Sequence, residues 1–183
     1  MKTIFLVLLV YTGNLCLGDS LNRQYGERPG YFDIDSIAPE GSLDGSDEIV
    51  IHKRMIQIVS RSLRSENPET SDLLKDLDLI RVNTWDPSEG VLEAIRDSLK
   101  SKTEGLAKDG WERLAQFRED DEEVVLYGRY IEDEVKGLFL FLADGSELMC
   151  INIVGPLDLE NLVRIGDAMG ISGMDVVDWV EDL

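Results

Sequence analysis

The side chains that could do nucleophilic or metal chemistry are few: one histidine, His52, and two cysteines, Cys16 and Cys150. A serine or cysteine nucleophile needs a base to take its proton, and that base is usually histidine. His52 stands where a short strand is expected to run into a helix, a place that suits a structural or surface role. The chain has no Gly-x-Ser-x-Gly turn, no phosphate-cradling glycine loop and no zinc-spaced Cys/His set. Cys150 lies within an apolar strand pattern and reads as a buried, inert thiol. These residues support no catalytic, cofactor-binding or metal-ligating assignment, and no cofactor is expected.

Carboxylates are the exception to this scarcity, with 37 acidic against 18 basic residues and a net charge of −19. Two acids flanking a glycosidic bond must sit roughly 5–10 Å apart, which many pairs here could do, so a carboxylate-dependent hydrolase is the alternative to a binding protein. Asp33, Asp35, Asp44, Asp47 and Glu48 surround a glycine-containing loop, but their spacing does not follow the EF-hand pattern, so a solvated acidic loop is expected. The negative field repels phosphate backbones, which argues against a nucleic acid partner. Most of the acids are scattered and serve solubility; only Glu119 to Glu123 forms a dense block.

The elements that must position these groups can be read from periodicity and turn chemistry. Glu48 to Ile51 reads as a strand, followed by a helix from Lys53 to Leu63 with Ile56, Val59 and Leu63 on its buried face. Asn67-Pro68 caps a shorter helix carrying Leu73, Leu74 and Leu77 inward. A strand from Leu79 to Trp85 leads to Asp86-Pro87-Ser88-Glu89, which opens a helix with Val91, Leu92, Ile95 and Leu99 as its stripe. Four strands follow: Trp111 to Arg118, Val124 to Ile131, Val135 to Leu142 and Leu148 to Val154. Asp144-Gly145 makes the last pair a hairpin, and Pro156 is expected to end the meander. A last helix, capped by Asp158, would run to Gly170. The expected fold is α+β, a single domain in which helices pack on an antiparallel meander.

Both ends of the chain suggest an address and a tail. Lys2, the apolar run Ile4 to Tyr11 and the small residues around Cys16-Leu17-Gly18 read as a signal peptide over residues 1–18, cleaved to leave Asp19 first. The run falls short of the about 20 apolar residues that span a bilayer, so no transmembrane span is expected in the remaining chain. Bulky Leu15 before Cys16 departs from a lipoprotein signal. A secreted or periplasmic protein is therefore expected, with a lipoprotein tethered to the envelope through Cys16 as the alternative. Cleavage leaves Cys150 as the sole cysteine, so no intramolecular disulfide can form. Residues 19–29 are polar and aperiodic and are read as a flexible leader to the domain at 30–170.

Two places could meet a partner. Leu138, Leu140 and Leu142 alternate with Phe139 and Phe141, so that strand is apolar on both faces. It is either covered on both sides, by helices, leader or tail, or it offers a homodimer or ligand surface at Phe139 and Phe141. In the tail, residues 171–183, Val176, Trp179, Val180 and Leu183 share one helical face at anchor spacing for a partner groove. The reading is an exported, acidic, non-enzymatic binding or interaction protein with a protein partner or a second copy as its ligand; a structural envelope protein is the other alternative.

Several strings carry a likeness beyond this. Gly30-Tyr31-Phe32-Asp33, the Glu48 to Ile51 strand with its helix, Ile80-Arg81-Val82, Asp109-Gly110-Trp111-Glu112-Arg113-Leu114 and Asn152-Ile153-Val154-Gly155 together resemble the bacterial family known as domain of unknown function 4252. The likeness spans about Gly30 to Gly170. It implies an exported protein, often a lipoprotein, and brings no catalytic or binding residues with it.

Overall fold

Alternating apolar residues joined by short connections leave the second half of the chain little choice but to fold back on itself as a meander. The computed structural model describes residues 17–37, 47–85, 91–119, 122–144 and 147–157. Its strands are β1 (Asp47–His52), β2 (Leu79–Trp85), β3 (Trp111–Glu119), β4 (Glu122–Ile131), β5 (Glu134–Asp144) and β6 (Glu147–Leu157). They form one six-stranded sheet in the order β1-β2-β6-β5-β4-β3, with every neighbouring pair antiparallel. The meander β3 to β6 is as the sequence suggests. The first two strands extend it beyond β6, which leaves β1 and β3 as the edges.

The helices are α1 (Leu17–Tyr25), α2 (Lys53–Leu63), α3 (Pro68–Leu74) and α4 (Val91–Leu106). This is an α+β fold. Asn67 caps α3 by accepting a hydrogen bond from the Thr70 N–H at 3.0 Å, with Pro68 at the first turn as its sequence implies. The connection from β2 to β3 must cross β6, β5 and β4, and α4 makes that crossing with Ile95 and Leu99 buried against the sheet. The opposite face receives Ile56 of α2 and Leu73 and Leu74 of α3, which pack on Ile80, Leu138, Ile151 and Ile153. β5 is thus covered on both sides, which is why its Phe and Leu residues need no polar alternation.

Two local expectations are corrected. The leader forms helix α1, because Leu21 and Tyr25, one turn apart, bury themselves against Leu79 and Val154. Two inward residues among polar ones give too sparse a stripe to stand out in the sequence. Pro156 does not end β6: Val135 pairs with Leu157 and Gly137 with Val154, so Gly155 and Pro156 bulge opposite Lys136, where a missing N–H breaks no ladder bond. Among the described residues no helix is long and apolar enough to cross a membrane. The Asp86 to Glu89 cap, the helix expected from Asp158 and residues 1–16 lie outside the described residues.

Candidate functional site

The register of the sheet aligns a cross-strand row on the α4 face: Arg81 of β2, Asn152 of β6, Phe139 of β5 and Tyr127 of β4 are successive partners. Apolar strands rarely point an arginine and an asparagine inward, so both must be occupied. What occupies them is a strap, Gly30 to Ile37, that follows α1, lies across the row and closes in a 3-10 turn at Ile34–Ser36.

Asn152 holds the strap by its backbone. Its Oδ1 accepts from the Phe32 N–H at 2.9 Å, and its Nδ2 donates to the Gly30 and Leu138 carbonyls at 2.9 Å each. The side-chain amide is fully buried and fully used, and it ties the strap to β6 and β5 together. Such contact requires the strap to touch the sheet. Gly30, at φ +87°, lies back to back with Gly137, and a Cβ at Gly30 would meet the Lys136 carbonyl oxygen at 2.1 Å. Only glycine fits there, both for its backbone angle and for its bulk.

The strap's side chains fill what the sheet leaves open. Phe32 stacks on Phe139 with ring centroids 3.8 Å apart and meets the edge of Trp111 at 6.0 Å. Ile34 and Ile37 are fully buried in the same core. Asp35 closes the other end, accepting from Arg81 Nη2 at 2.6 Å, while Glu48 of β1 accepts from Arg81 Nε at 2.7 Å. Arg81 is 1% exposed, and a cation taken that far from water requires such partners. Burial alone pulls its pKa down; the Asp35 and Glu48 carboxylates outweigh it, and the net shift is upward. Cys150, opposite Asn83, is sealed in this core, and burial pushes its thiol pKa up, away from reactivity.

Beside these satisfied groups lies a set that is not. Among the described residues, Tyr31 Oη, Asp35 Oδ2, Arg81 Nη1, Asn83 Oδ1 and Trp85 Nε1 are buried without a hydrogen-bond partner. Three of them stand on alternate residues of β2, all on the strap side of the sheet. Burial also raises the Tyr31 hydroxyl to about 12, an effect that the nearby Arg81 charge only partly offsets.

The residues singled out in the sequence are distributed unevenly around this seam. Phe139 and Phe141 are fully buried beneath the strap and α4, so internal covering, not an open surface, is what the structure shows on that side. Val176, Trp179, Val180 and Leu183 lie outside the described residues. Of the acidic loop, Asp35 and Glu48 converge on Arg81, and among the described residues no three His, Cys, Asp or Glu side chains could hold a metal ion. In the acidic block, Glu123 is buried between Arg96, at 2.5 Å, and Arg118. His52 accepts or shares a hydrogen bond with the Tyr25 hydroxyl at 2.9 Å and stacks on its ring.

A family model described as domain of unknown function DUF4252 matches residues 42–165, about two thirds of the chain. The chain belongs to the DUF4252 family. The matched segment holds the whole row Arg81, Asn152, Phe139 and Tyr127, whereas the strap residues Gly30, Phe32 and Asp35 precede it. No curated protein and no solved structure matches the chain. Within this DUF4252 chain, Arg81 and Asn152 are the residues that sequence reasoning left without a role, and Asp35, expected in a solvated acidic loop, is the carboxylate that meets Arg81. Their signal was available: charged or amide side chains at inward positions of apolar strands are the informative kind of buried residue.

Proposed function

We propose that this DUF4252 protein works outside the cytoplasm by binding, not by catalysis, and that its ligand is a protein. The observation that carries the reading is the cross-strand row, in which Asn152 binds the backbone of a separate segment of polypeptide and Arg81 binds that segment's Asp35 carboxylate. Support also comes from the ionisable groups buried in the described residues. Arg81 and Glu123 are each matched by opposite charges, and Cys150 is kept protonated by burial. Groups committed in this way are poor acids, bases or nucleophiles. The tail stripe of Val176, Trp179, Val180 and Leu183 is the second proposed contact. An export signal over residues 1–18 and a soluble form starting at Asp19 complete the reading.

The test is affinity capture from an envelope extract with the chain beginning at Asp19, alongside its Trp179→Ala variant. A discrete protein retained by the first and lost by the second supports the proposal. Phe139→Ala is a poor surface test, since that ring is fully buried. Turnover of a glycoside or ester substrate that disappears on replacing one carboxylate would reject binding in favour of a hydrolase. Intact mass settles the N-terminus: an Asp19 start agrees with secretion, and a diacylated Cys16 replaces it with a tethered lipoprotein.

A further inference from the structure

The strap is joined to the sheet like a bound peptide. Its backbone is read at two-residue spacing, Gly30 C=O and Phe32 N–H, by a single asparagine of the sheet. Its side chains enter two distinct receptors three residues apart, an aromatic slot at Phe139 and Trp111 and a cationic one at Arg81. Backbone reading with alternate side-chain anchors is the logic by which folded domains take extended peptides.

The strap is also an incomplete occupant. It turns into a short 3-10 segment at Ile34–Ser36, and beside that turn Arg81 Nη1, Asn83 Oδ1 and Trp85 Nε1 remain buried and unpaired among the described residues. They stand on residues 81, 83 and 85, alternate residues of β2 on the face that the strap covers. Two donors and an acceptor are groups that the carbonyls and N–H of a peptide continuing along β2, where the strap turns, can pair. Buried groups without partners favour an occupant that pairs them.

We infer that the sheet face under the strap is a recognition groove for an extended peptide segment of a partner protein, with an aromatic residue for the Phe139 slot and a carboxylate three residues later for Arg81, and that the strap fills it in cis until displaced. The inference rests on the binding reading above and gives that reading its ligand class. A partner segment competes with an occupant tethered at high effective concentration, so affinity in trans is set by how fully it pairs the β2 ladder.

Cys150 reports occupancy, since it lies in the core that the strap closes. The full chain with Cys16→Ser has one thiol, and its reaction rate with an aromatic disulfide reagent measures exposure. Phe32→Ala in that chain should speed labelling at least tenfold. Adding a synthetic peptide of residues 28–37 in excess should slow it again severalfold, while a peptide lacking the Phe32 and Asp35 side chains should not. Asp35→Ala supplies a milder variant should Phe32→Ala fail to fold, judged by strand content in circular dichroism. If neither folded variant is protected by the native peptide, the face is closed core and the groove is rejected. Protection that rises with protein concentration and not with peptide would overturn a partner peptide in favour of strap exchange between copies. Either failure leaves the Trp179 capture experiment to decide binding by itself.

Discussion

The backbone N–H of Phe32 donates to the side-chain Oδ1 of Asn152 across 120 residues of sequence, and the same amide group holds Gly30 and Leu138. One side chain thereby fixes the N-terminal strap to the two central strands of the sheet. Asn152→Ala would strand the Phe32 N–H and the Gly30 carbonyl in an apolar setting. Each abandoned group costs about 1–3 kcal/mol, so a loss on the order of 3 kcal/mol is expected. Urea unfolding should show a lower midpoint with an unchanged slope. A variant as stable as wild type would mean that the strap is not held through this amide.

Phe32→Ala removes a ring stacked at 3.8 Å on Phe139 and leaves a hole against Trp111. The expected cost is about 3–5 kcal/mol, because the cavity adds to the lost transfer energy. Phe32→Leu fills most of the space and should cost less than half as much. Differential scanning calorimetry on the two variants checks the order.

Arg81→Ala leaves Asp35 and Glu48 facing each other without their cation, at a cost of about 3 kcal/mol or more. Replacing all three together, as Arg81→Met with Asp35→Asn and Glu48→Gln, should recover most of that loss. A triple variant no more stable than Arg81→Ala would show that the arginine contributes packing and not charge balance. Thermal melts of the two variants and wild type distinguish these cases.

Tyr31 supplies a pH dependence with a definite sign. Burial raises its hydroxyl to about 12, so the folded protein keeps a proton that an unfolded tyrosine releases near 10. The associated stabilisation is complete below the unfolded value and is lost as pH rises through the folded one. Stability should therefore fall between about pH 10 and 12, and less steeply in Tyr31→Phe. At neutral pH that variant should stay close to wild type, since the hydroxyl it removes faces Arg81 but is not within hydrogen-bonding geometry of a partner among the described residues. Denaturant titrations at pH 8, 10 and 11.5 read the difference between the two proteins.

How much of this could be read without coordinates follows from the range of the forces involved. The strands, the Asn67 cap, the helix stripes and the meander were legible because alternation, capping and tight turns act within a few residues. The clamp was not. Gly30-Tyr31-Phe32-Asp33, Ile80-Arg81-Val82 and Asn152-Ile153-Val154-Gly155 stand out as strings, yet nothing local says that they meet. Leu21 and Tyr25 looked like polar leader because only the sheet makes their one-turn spacing useful.

Composition and periodicity are enough to specify an α+β chain rich in carboxylates, with apolar strands too consistent to face water and a single histidine unsuited to the common hydrolase arrangements. Which face of β5 the strap covers, where α4 crosses and which acids meet Arg81 follow only from long-range packing. Those outcomes depend on strand register. Register places Arg81, Asn152, Phe139 and Tyr127 in one row, and a slip by one residue would turn all four to the other side of the sheet.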